Sequence, residues 1–316
     1  MFTHYFRFSC RGASEQRRAP LLERLLARAD SSTPITDWRA DAFRVLAPGT
    51  TPMPGVGAAA AYAEFGAVSG ATVIVATPVH YLVEMSNVRL AVDGILSLRQ
   101  SEAGALADDF NQVWHGAGIR LLAGSRAELF CITDQPLPVS THDPEDVLGQ
   151  HIEMYLPTGE HAPRLRRLMS EIEMWLFEHA GNRAWLAPGR PAAGTPAISG
   201  LWLWGAGPAL ASLPQVSGWT AGDDLLFNAF AAQRGPQNGP QNGPQNGVSG
   251  VAACTSEPGT EEWHEVESWL EGSLADLRAR RIGRLELSAG QRCFSLSSSG
   301  TRRFWRRGQP WWESFA

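Results

Sequence analysis

The spacing of apolar residues predicts helices and strands that alternate along the 316-residue chain. The clearest helical pattern covers residues 162–179. Its apolar face contains Leu165, Leu168, Met169, Ile172, Trp175 and Leu176. The β-branched stretches 71–85 and 87–92 predict one hairpin, with an interruption at Pro78, and 119–133 predicts a second. Hairpins combined with helices indicate an α/β or α+β fold, with mixed sheets and covering helices.

The stretch ISGLWLWGAGPAL, residues 198–210, contains a continuous apolar run between two glycines. Such a run is typical of a strand that is buried on both faces, so we expect Trp202 and Trp204 to be packing residues. Gly205 and Gly207 allow a sharp turn, and a phosphate-cradling loop is the secondary interpretation.

Other segments predict further helices and a variable loop. Alanine-rich residues 58–66 predict a short helix, and 101–118 predict a helix with Ser101 as its N-cap. In residues 235–247 the sequence GPQN occurs three times, which indicates a disordered loop. A helix with Trp263, Val266, Trp269 and Leu270 facing inward follows, and then a pair of strands.

Composition excludes several kinds of site. The formal net charge is −5 and the chain contains no lysine, which rules out a P-loop lysine and a Schiff-base lysine. Cys10, Cys131, Cys254 and Cys293 are far apart, so a zinc ribbon is not expected. Without a signal peptide or an apolar window long enough to span a membrane, we expect a cytoplasmic protein that does not bind membranes.

Residues 140–159 hold the densest group of polar side chains that could bind a metal. His142, Asp143, Asp146 and His151 offer the oxygen and nitrogen ligands of a divalent ion. The alternative is a helix start, in which Asp143 is the N-cap, Pro144 follows it, and acidic residues occupy the first turn. Helix capping is the favoured interpretation.

The end of the long helix carries the candidate ligand-binding corner. His179 continues the apolar face, so it is either a packed histidine or a partner of the helix dipole. Asn182 and Arg183 follow directly, and the planar guanidinium of an arginine suits phosphate or carboxylate. The sequence of this stretch leaves both interpretations open.

The tail, residues 301–316, interleaves arginines with aromatic residues. Its members are Arg302, Arg303, Arg306, Arg307, Phe304, Trp305, Trp311 and Trp312. These side chains could contact phosphates and stack on bases, as in single-strand binders. A docked C-terminal segment is the alternative, and the acidic net charge favours it over nucleic-acid binding.

Three stretches of the sequence are similar to a known family of bacterial proteins. LMSEIEMWLFEHAGNRAW, GTPAISGLWLWGAG and RRFWRR resemble the RpfE-type regulatory protein family of bacteria, which is phosphoglycerate-mutase-like. THDPEDVLGQHIEMYLPTG and the following helix are similar to the archaeal-type cofactor-independent phosphoglycerate mutases. The resemblance implies a partial relation to the accessory domain of these alkaline-phosphatase-like enzymes. It also implies three regions: 1–70, a mutase-like 71–207, and 208–316.

The resemblance implies that the catalytic machinery of the mutases is missing. Those enzymes use a serine and two divalent ions, whereas this chain has no D-G-x-x-D start and no Asp/His cluster after residue 207, where the pair Asp223-Asp224 and the isolated His264 are far apart in sequence. The family's H-P-V-N is His179-Ala180-Gly181-Asn182 here, and Ser199 replaces an asparagine.

We therefore expect a non-catalytic regulatory or phosphometabolite-binding protein that needs no cofactor. Its ligand would contact His179, Asn182, Arg183, Gly205 and Gly207. The expected partner is a phosphorylated small metabolite or a regulatory protein. The alternative is a phosphoglycerate mutase with Mn²⁺ or Mg²⁺ at the 140–159 cluster, and the third hypothesis is a nucleic-acid-binding module that uses the tail.

Overall fold

The structure is a computed structural model that describes most of the chain. The described residues are 2–9, 17–49, 51–85, 87–179, 182, 196–233, 244, 247–256 and 258–315. The fold is mixed α/β, as the sequence predicts. The chain forms two compact units, one from Met1–Met53 with Pro214–Ala316 and one from Pro54–Leu213.

Strands and helices alternate along the described residues. The strands are β1 (Thr3–Phe8), β2 (Ser31–Pro34), β3 (Thr72–Val83), β4 (Val88–Ile95), β5 (Ile119–Ala123), β6 (Leu129–Thr133), β7 (Gly200–Pro208), β8 (Trp219–Gly222), β9 (Gly250–Cys254), β10 (Arg284–Ala289) and β11 (Arg292–Leu296). The α-helices are α1 (Pro20–Arg28), α2 (Trp38–Leu46), α3 (Val56–Phe65), α4 (Gln100–Val113), α5 (Ala162–Glu178), α6 (Leu225–Gln233), α7 (Glu261–Arg278) and α8 (Trp311–Phe315). Short 3₁₀ helices cover Pro144–Val147, Ile152–Tyr155 and Gly300–Arg302.

The unit that contains both ends of the chain is built on one sheet with the order β2-β11-β10-β1-β9-β8. β1 pairs in parallel with β9 and with β10, and β8 pairs in parallel with β9. β11 pairs in antiparallel fashion with β10 and β2. Phe6 and Phe8 of β1 point to one face and pack in a buried cluster with Trp263 and Leu270 of α7, which confirms the inward face predicted for that helix.

The unit formed by Pro54–Leu213 is built around β3, the longest strand. β7 pairs with β3 along one edge, while β6 and β4 pair with the first and last parts of the other edge, and β5 pairs with β6. Both predicted hairpins are therefore present. The predicted region 71–207 lies inside this unit, and the regions on either side of it contribute to both units.

The expected interruption at Pro78 is wrong, because β3 continues through this residue. Pro78 lies opposite Leu201 of β7. The pairing with β4 shifts register between Val79 and Tyr81, so the ladder is irregular next to the proline. A strand tolerates a proline at such an irregularity because no N–H is required there.

β7 confirms the interpretation of the LWLW run. Residues 200–204 are all buried. The indole Nε1 of Trp202 donates to the carbonyl of His142 at 2.8 Å, and that of Trp204 donates to Thr77 Oγ1 at 2.8 Å. The tryptophans are thus core residues whose polar atoms are satisfied within the fold.

Two helix boundaries differ from the sequence prediction. α4 begins at Gln100 with Arg99 as its N-cap, two residues before the expected N-cap Ser101, because Glu102 bonds back to the Arg99 N–H in a capping box. α5 ends at Glu178 with His179 as its C-cap. The predicted loop at 235–247 falls almost wholly outside the described residues, as does Cys10. None of the described helices is both long and apolar enough to cross a membrane.

Candidate functional site

The residues predicted to bind a ligand lie near opposite ends of β7. Asn182 bonds to Ile198, just before the strand, whereas Gly205 and Gly207 lie in its second half. The seven residue-to-residue steps from Ile198 to Gly205 span about 23 Å at ~3.3 Å per step. These residues therefore do not converge on one site, and Arg183 lies outside the described residues.

The Asn182 carboxamide joins the end of α5 to the start of β7. Its Nδ2 donates to the carbonyls of Leu176 and Ile198, at 2.8 Å each, and its Oδ1 accepts from the Ile198 N–H at 2.9 Å. Asn182 is buried. Both amide hydrogens and the carbonyl oxygen are thus used inside the protein, so the primary role of this side chain is to position the corner.

Both ring nitrogens of His179 have partners within the corner. Nδ1 accepts from the Asn182 N–H at 3.2 Å, which places the proton of the neutral ring on Nε2. Nε2 then donates to Asp109 Oδ2 at 2.9 Å. The ring also lies 4.9 Å from that of Trp175. The packed-histidine interpretation agrees with this arrangement.

Gly205 and Gly207 allow β7 to approach the start of α3. A Cβ on Gly207 would lie 2.7 Å from Gly55 Cα, and one on Gly205 would lie 2.9 Å from Val56 Cβ. Gly205 has φ of +64°, and its N–H donates to Thr141 Oγ1 at 3.1 Å. The two glycines are therefore used for close packing and a backbone turn.

Of the four side chains considered as metal ligands, Asp143 and His142 have hydrogen-bond partners nearby, whereas the buried Nδ1 of His151 has none among the described residues. Asp143 caps the 3₁₀ helix Pro144–Val147 by accepting from the Glu145 N–H at 2.8 Å, so the capping interpretation is confirmed. His142 Nδ1 lies 3.0 Å from the carbonyl of Tyr155. His151 forms a β-bridge with Arg89. In the described part of the chain, no three His, Cys, Asp or Glu side chains form a group that could hold a metal ion, so Asp146 belongs to no such group.

The aspartates that follow β8 also have local partners. Asp223 accepts a hydrogen bond from Thr255 Oγ1, directly after β9. Asp224 Oδ2 lies 2.8 Å from Arg39 Nη2, and its Oδ1 accepts from the Leu226 N–H at the start of α6. This pair therefore anchors the carboxyl ends of two neighbouring strands.

The C-terminal tail is docked, as the favoured interpretation predicts. Arg303 forms an ion pair with Asp30 at 2.8 Å and donates to the carbonyl of Ala29 at 2.9 Å. Trp311 is buried, and its Nε1 donates to the carbonyl of Arg17 at 2.9 Å. Trp305 remains exposed.

A cavity of about 590 Å³ opens beside the Asn182 corner. We call it the corner cavity, and its lining residues are Tyr81, Val83, Val88, Glu173, Phe177, Asn182, Ala197, Ile198 and Ser199. Val83 and Phe177 are 82% and 81% exposed and form an apolar rim. The volume is in the range of about 300–1,000 Å³ that is typical of small-molecule sites.

Two oxygen-bearing side chains of the cavity lining, Tyr81 and Glu173, lie beside Gly200. The Tyr81 hydroxyl is buried and has no hydrogen-bond partner among the described residues. Burial raises the pKa of Tyr81, and it also raises the pKa of the Glu173 carboxyl. Gly200 leaves room for both, since a Cβ there would lie 3.3 Å from the Tyr81 hydroxyl oxygen and 3.3 Å from Glu173 Cγ. The two groups thus flank the same glycine.

His80 and Ser199 form a pair at the edge of the cavity that is not arranged for nucleophilic catalysis. His80 Nδ1 lies 3.0 Å from the carbonyl of Ala197 and 3.2 Å from Ser199 Oγ. Because a carbonyl only accepts, Nδ1 carries the proton and cannot act as a base toward the serine. Ser199 Oγ instead accepts from the Tyr81 N–H at 3.1 Å.

The sequence analysis missed Tyr81 and Glu173 as site residues. Tyr81 lies within an apolar strand and is indistinguishable there from a core aromatic residue. Glu173 was the available signal, because it lies four residues after Met169 and three before Leu176, at the border of the apolar face of α5. A glutamate at such a position is placed next to apolar surface rather than in bulk water.

Comparison with known proteins gives a limited match. No protein-family model matches the chain. Over 119 residues it is 35% identical to a probable 2,3-bisphosphoglycerate-independent phosphoglycerate mutase of Geobacter sulfurreducens. The match covers 37% of this chain and 27% of that protein, so the chain spans about a quarter of its relative's length. The chain thus has partial similarity to cofactor-independent phosphoglycerate mutases.

Two solved structures align over nearly the whole chain at low similarity. The cofactor-independent phosphoglycerate mutase from Thermoplasma acidophilum shares 13% identity, with a TM-score of 0.37, over 99% of this chain and 95% of that one. The PH0037 protein from Pyrococcus horikoshii shares 14% identity, with a TM-score of 0.39, over 99% and 92%. Both TM-scores are too low for either structure to support a conclusion about this chain.

Proposed function

We propose that this protein is a non-catalytic, phosphoglycerate-mutase-like regulatory protein that binds a small ligand in the corner cavity. The observation that carries the proposal is the corner cavity itself, whose volume of about 590 Å³ lies in the range typical of small-molecule sites. Its described lining combines apolar side chains with a few polar ones, which is the usual composition of such a site.

The non-catalytic part of the proposal is supported by the contacts of the acidic and histidine side chains. Asp143 caps a 3₁₀ helix, Asp223 bonds to Thr255, and Asp224 pairs with Arg39. These carboxylates have structural partners in place of a pair of divalent ions. A two-metal phosphoryl transfer needs such ligands to be grouped around two ions about 3.5–4 Å apart.

A turnover assay tests this part. Purified protein with 3-phosphoglycerate and either Mn²⁺ or Mg²⁺ should form no 2-phosphoglycerate, while an active cofactor-independent mutase in the same buffer serves as positive control. Metal-dependent product that increases with protein concentration would instead establish the second candidate function, a phosphoglycerate mutase. The 35% identity over 119 residues is the observation that favours this candidate.

Ligand binding is tested by thermal shift with a panel of sugar phosphates, amines, alcohols and carboxylic acids. Val88→Trp adds bulk to the wall of the corner cavity, and Val92→Trp is the matched control at an exposed position of the same strand. At least one compound class should raise the melting temperature of the wild type and of Val92→Trp but not of Val88→Trp. A panel without any such compound would refute binding in this cavity.

The finer proposal names a phosphorylated metabolite. Its contacts would be Arg183, whose planar guanidinium suits a phosphate, and the neighbouring Asn182, with His179 nearby. Calorimetry with millimolar 3-phosphoglycerate should give heat that Arg183→Ala abolishes. Absence of heat would remove this ligand and leave the cavity and a protein partner as the routes to regulation.

A further inference from the structure

The unit that contains both ends of the chain has a pocket of about 390 Å³ where α7 ends and where the chain leaves β11. We call it the arginine pocket, and its described lining residues are Arg278, Arg280, Ser298, Ser299, Thr301 and Arg302. Three of these six side chains are positively charged and the other three are neutral hydroxyl groups, although the whole chain has a formal net charge of −5. Such a local concentration of positive charge favours an anionic ligand.

Two carboxylates close in sequence to the arginine pocket already have arginine partners. Asp276, near the end of α7, pairs with Arg281 at 2.7 Å. Asp30 pairs with Arg303, which directly follows the pocket residues, at 2.8 Å. Neither of these two arginines lines the pocket. The two carboxylates are therefore neutralised mainly by cations outside the lining.

A fourth arginine lies behind the wall of the arginine pocket. Arg28 Nη1 donates to the carbonyl of Thr301 at 3.3 Å. Burial lowers the pKa of Arg28, and the like charges of Arg24 and Arg278 lower it further. Arginine side chains from α1 and α7 are therefore close enough to repel one another here, and a bound anion would relieve this repulsion.

Arg280 occupies a backbone position at which glycine is the usual residue. Its φ is +58°, its N–H donates to the Leu277 carbonyl at 3.2 Å, and the Arg281 N–H donates to the Asp276 carbonyl at 2.9 Å. These two bonds form the Schellman motif that ends α7, and the left-handed residue of this motif is preferably glycine because a Cβ is unfavourable there. An arginine therefore lines the pocket from a position where the backbone favours a residue without a side chain.

The turn after β11 adds hydroxyl groups to the pocket. Thr301 Oγ1 donates to the carbonyl of Ser298 at 2.7 Å, so its proton is used within the turn. Ser299 Oγ lies 2.8 Å from Ser297 Oγ and can accept from it, which leaves the Ser299 proton for a ligand. A guanidinium group donates in a planar fork that fits two oxygens of one phosphate, and a serine hydroxyl can donate to a third.

We propose that the arginine pocket binds a phosphate dianion, as inorganic phosphate or as the head of a small phosphomonoester, through Arg278, Arg280 and Arg302. A phosphomonoester carries a charge of about −2 at pH 8, whereas each phosphodiester of a nucleic acid carries a single charge. Three arginines around one pocket match the more highly charged group. The pocket shares no residue with the corner cavity, so this inference goes beyond the proposed function.

The test is calorimetry at pH 8 and constant ionic strength with three probes: inorganic phosphate, glycerol 3-phosphate and dimethyl phosphate. Both dianions should bind, and dimethyl phosphate should bind at least about fivefold more weakly because it carries one charge. Tighter binding of glycerol 3-phosphate than of inorganic phosphate would assign an organic phosphate to the pocket. Equal affinities would assign the inorganic ion, and both results support a dianion site.

Four variants place the anion in the arginine pocket. Arg278→Gln and Arg302→Gln should each weaken phosphate binding by at least about fivefold, because each removes one charge-assisted contact. Arg164→Gln changes an exposed arginine of α5 and should alter the affinity by less than about twofold. Arg280→Gly should also weaken binding by at least about fivefold, yet its melting temperature without phosphate should not fall, because glycine is preferred at this position. Loss of binding in Arg280→Gly is thus distinguished from loss of folding.

Several results would overturn the inference. They are the absence of heat with both dianions, an affinity for dimethyl phosphate equal to that for phosphate, and unchanged phosphate affinity in the three pocket variants. Phosphate binding that is lost in Arg183→Ala but kept in the pocket variants would assign the anion to the finer proposal above. Val88→Trp should leave phosphate binding unchanged, so failure of this inference and failure of ligand binding in the corner cavity are observed separately.

Discussion

Asn182 and Ile198 exchange two hydrogen bonds in the manner of paired strand residues. The Ile198 N–H donates to Asn182 Oδ1 at 2.9 Å, and Asn182 Nδ2 donates to the Ile198 carbonyl at 2.8 Å. The side chain thereby satisfies the backbone N–H and the carbonyl of Ile198, just before β7. The same amide also bonds to Leu176, so one residue couples the helix end to the strand entry.

Replacing Asn182 with alanine should destabilise the protein. The change leaves the Ile198 N–H and two buried carbonyls without this partner, for which we expect a cost of about 1–3 kcal/mol. Urea denaturation followed by circular dichroism measures the free energy of unfolding. Glu178→Ala, at an exposed position of α5, should change it by less than about 0.5 kcal/mol. A loss in Asn182→Ala no larger than in this control would contradict the structural role.

Alanine should have opposite effects at Gly207 and Gly104. A Cβ on Gly207 would lie 2.7 Å from the Gly55 backbone, so overpacking should cost about 1–3 kcal/mol. A Cβ on Gly104, inside α4, meets no atom within 4 Å, and Gly104→Ala should stabilise the protein by about 0.5–1 kcal/mol. Thermal denaturation of the two variants should move the melting temperature in opposite directions. Two shifts of the same sign would be inconsistent with the packing described.

The fold could be predicted where side-chain periodicity alone fixes an element. The face of α5 and the LWLW strand are examples, because 3.6-residue spacing and a continuous apolar run each have one common structural solution. Pro78 could not be placed correctly, since its tolerance depends on the register shift of β4, a strand paired through tertiary contacts.

The sequence predicts only part of the site, because the site residues come from elements that are distant along the chain. Asn182 was identified, and it lines the corner cavity. Its bonds, however, go to the backbone, which no sequence pattern reveals. Tyr81 and Glu173 come from β3 and α5, and they meet because Gly200 of β7 lacks a side chain. A cavity formed by three elements that are distant in sequence leaves no local signal.

Trp311 and Trp305 should respond very differently to truncation, although both belong to the arginine- and tryptophan-rich tail. Trp311 is 1% exposed and bonds to the Arg17 carbonyl, so Trp311→Ala should cost about 3–5 kcal/mol. Trp305 is 66% exposed, and Trp305→Ala should cost less than about 0.5 kcal/mol.

Chemical denaturation of the two variants measures this difference, and equal losses would contradict the docked tail. The same variants address the nucleic-acid hypothesis. In a low-salt gel-shift assay with single-stranded DNA, any binding through stacked bases should fall in Trp305→Ala, because its side chain is accessible. If the wild type does not bind DNA, or if Trp305→Ala binds it equally well, the nucleic-acid hypothesis fails for Trp305. The tail is then a docked segment only.

Acidification should destabilise the protein through His4, which is buried in the first strand. Its Nδ1 lies 2.8 Å from Ser273 Oγ and its Nε2 lies 2.9 Å from the Val248 carbonyl. The carbonyl requires a proton on Nε2, so in the neutral ring Nδ1 accepts from the serine hydroxyl. The indole of Trp219 packs against its edge at 5.0 Å.

The sign of the effect follows from the pKa. Desolvation lowers the pKa of His4 in the folded protein below that of the unfolded chain, despite the opposing effect of the Val248 carbonyl. As the pH falls through the ordinary histidine pKa, the unfolded state takes up a proton that the folded state does not, and the free energy of unfolding decreases. Urea denaturation between pH 8 and pH 5 should show this loss. His4→Gln should be less stable at pH 8 but lose less stability on acidification than the wild type, and equal slopes would show that His4 is not the group responsible.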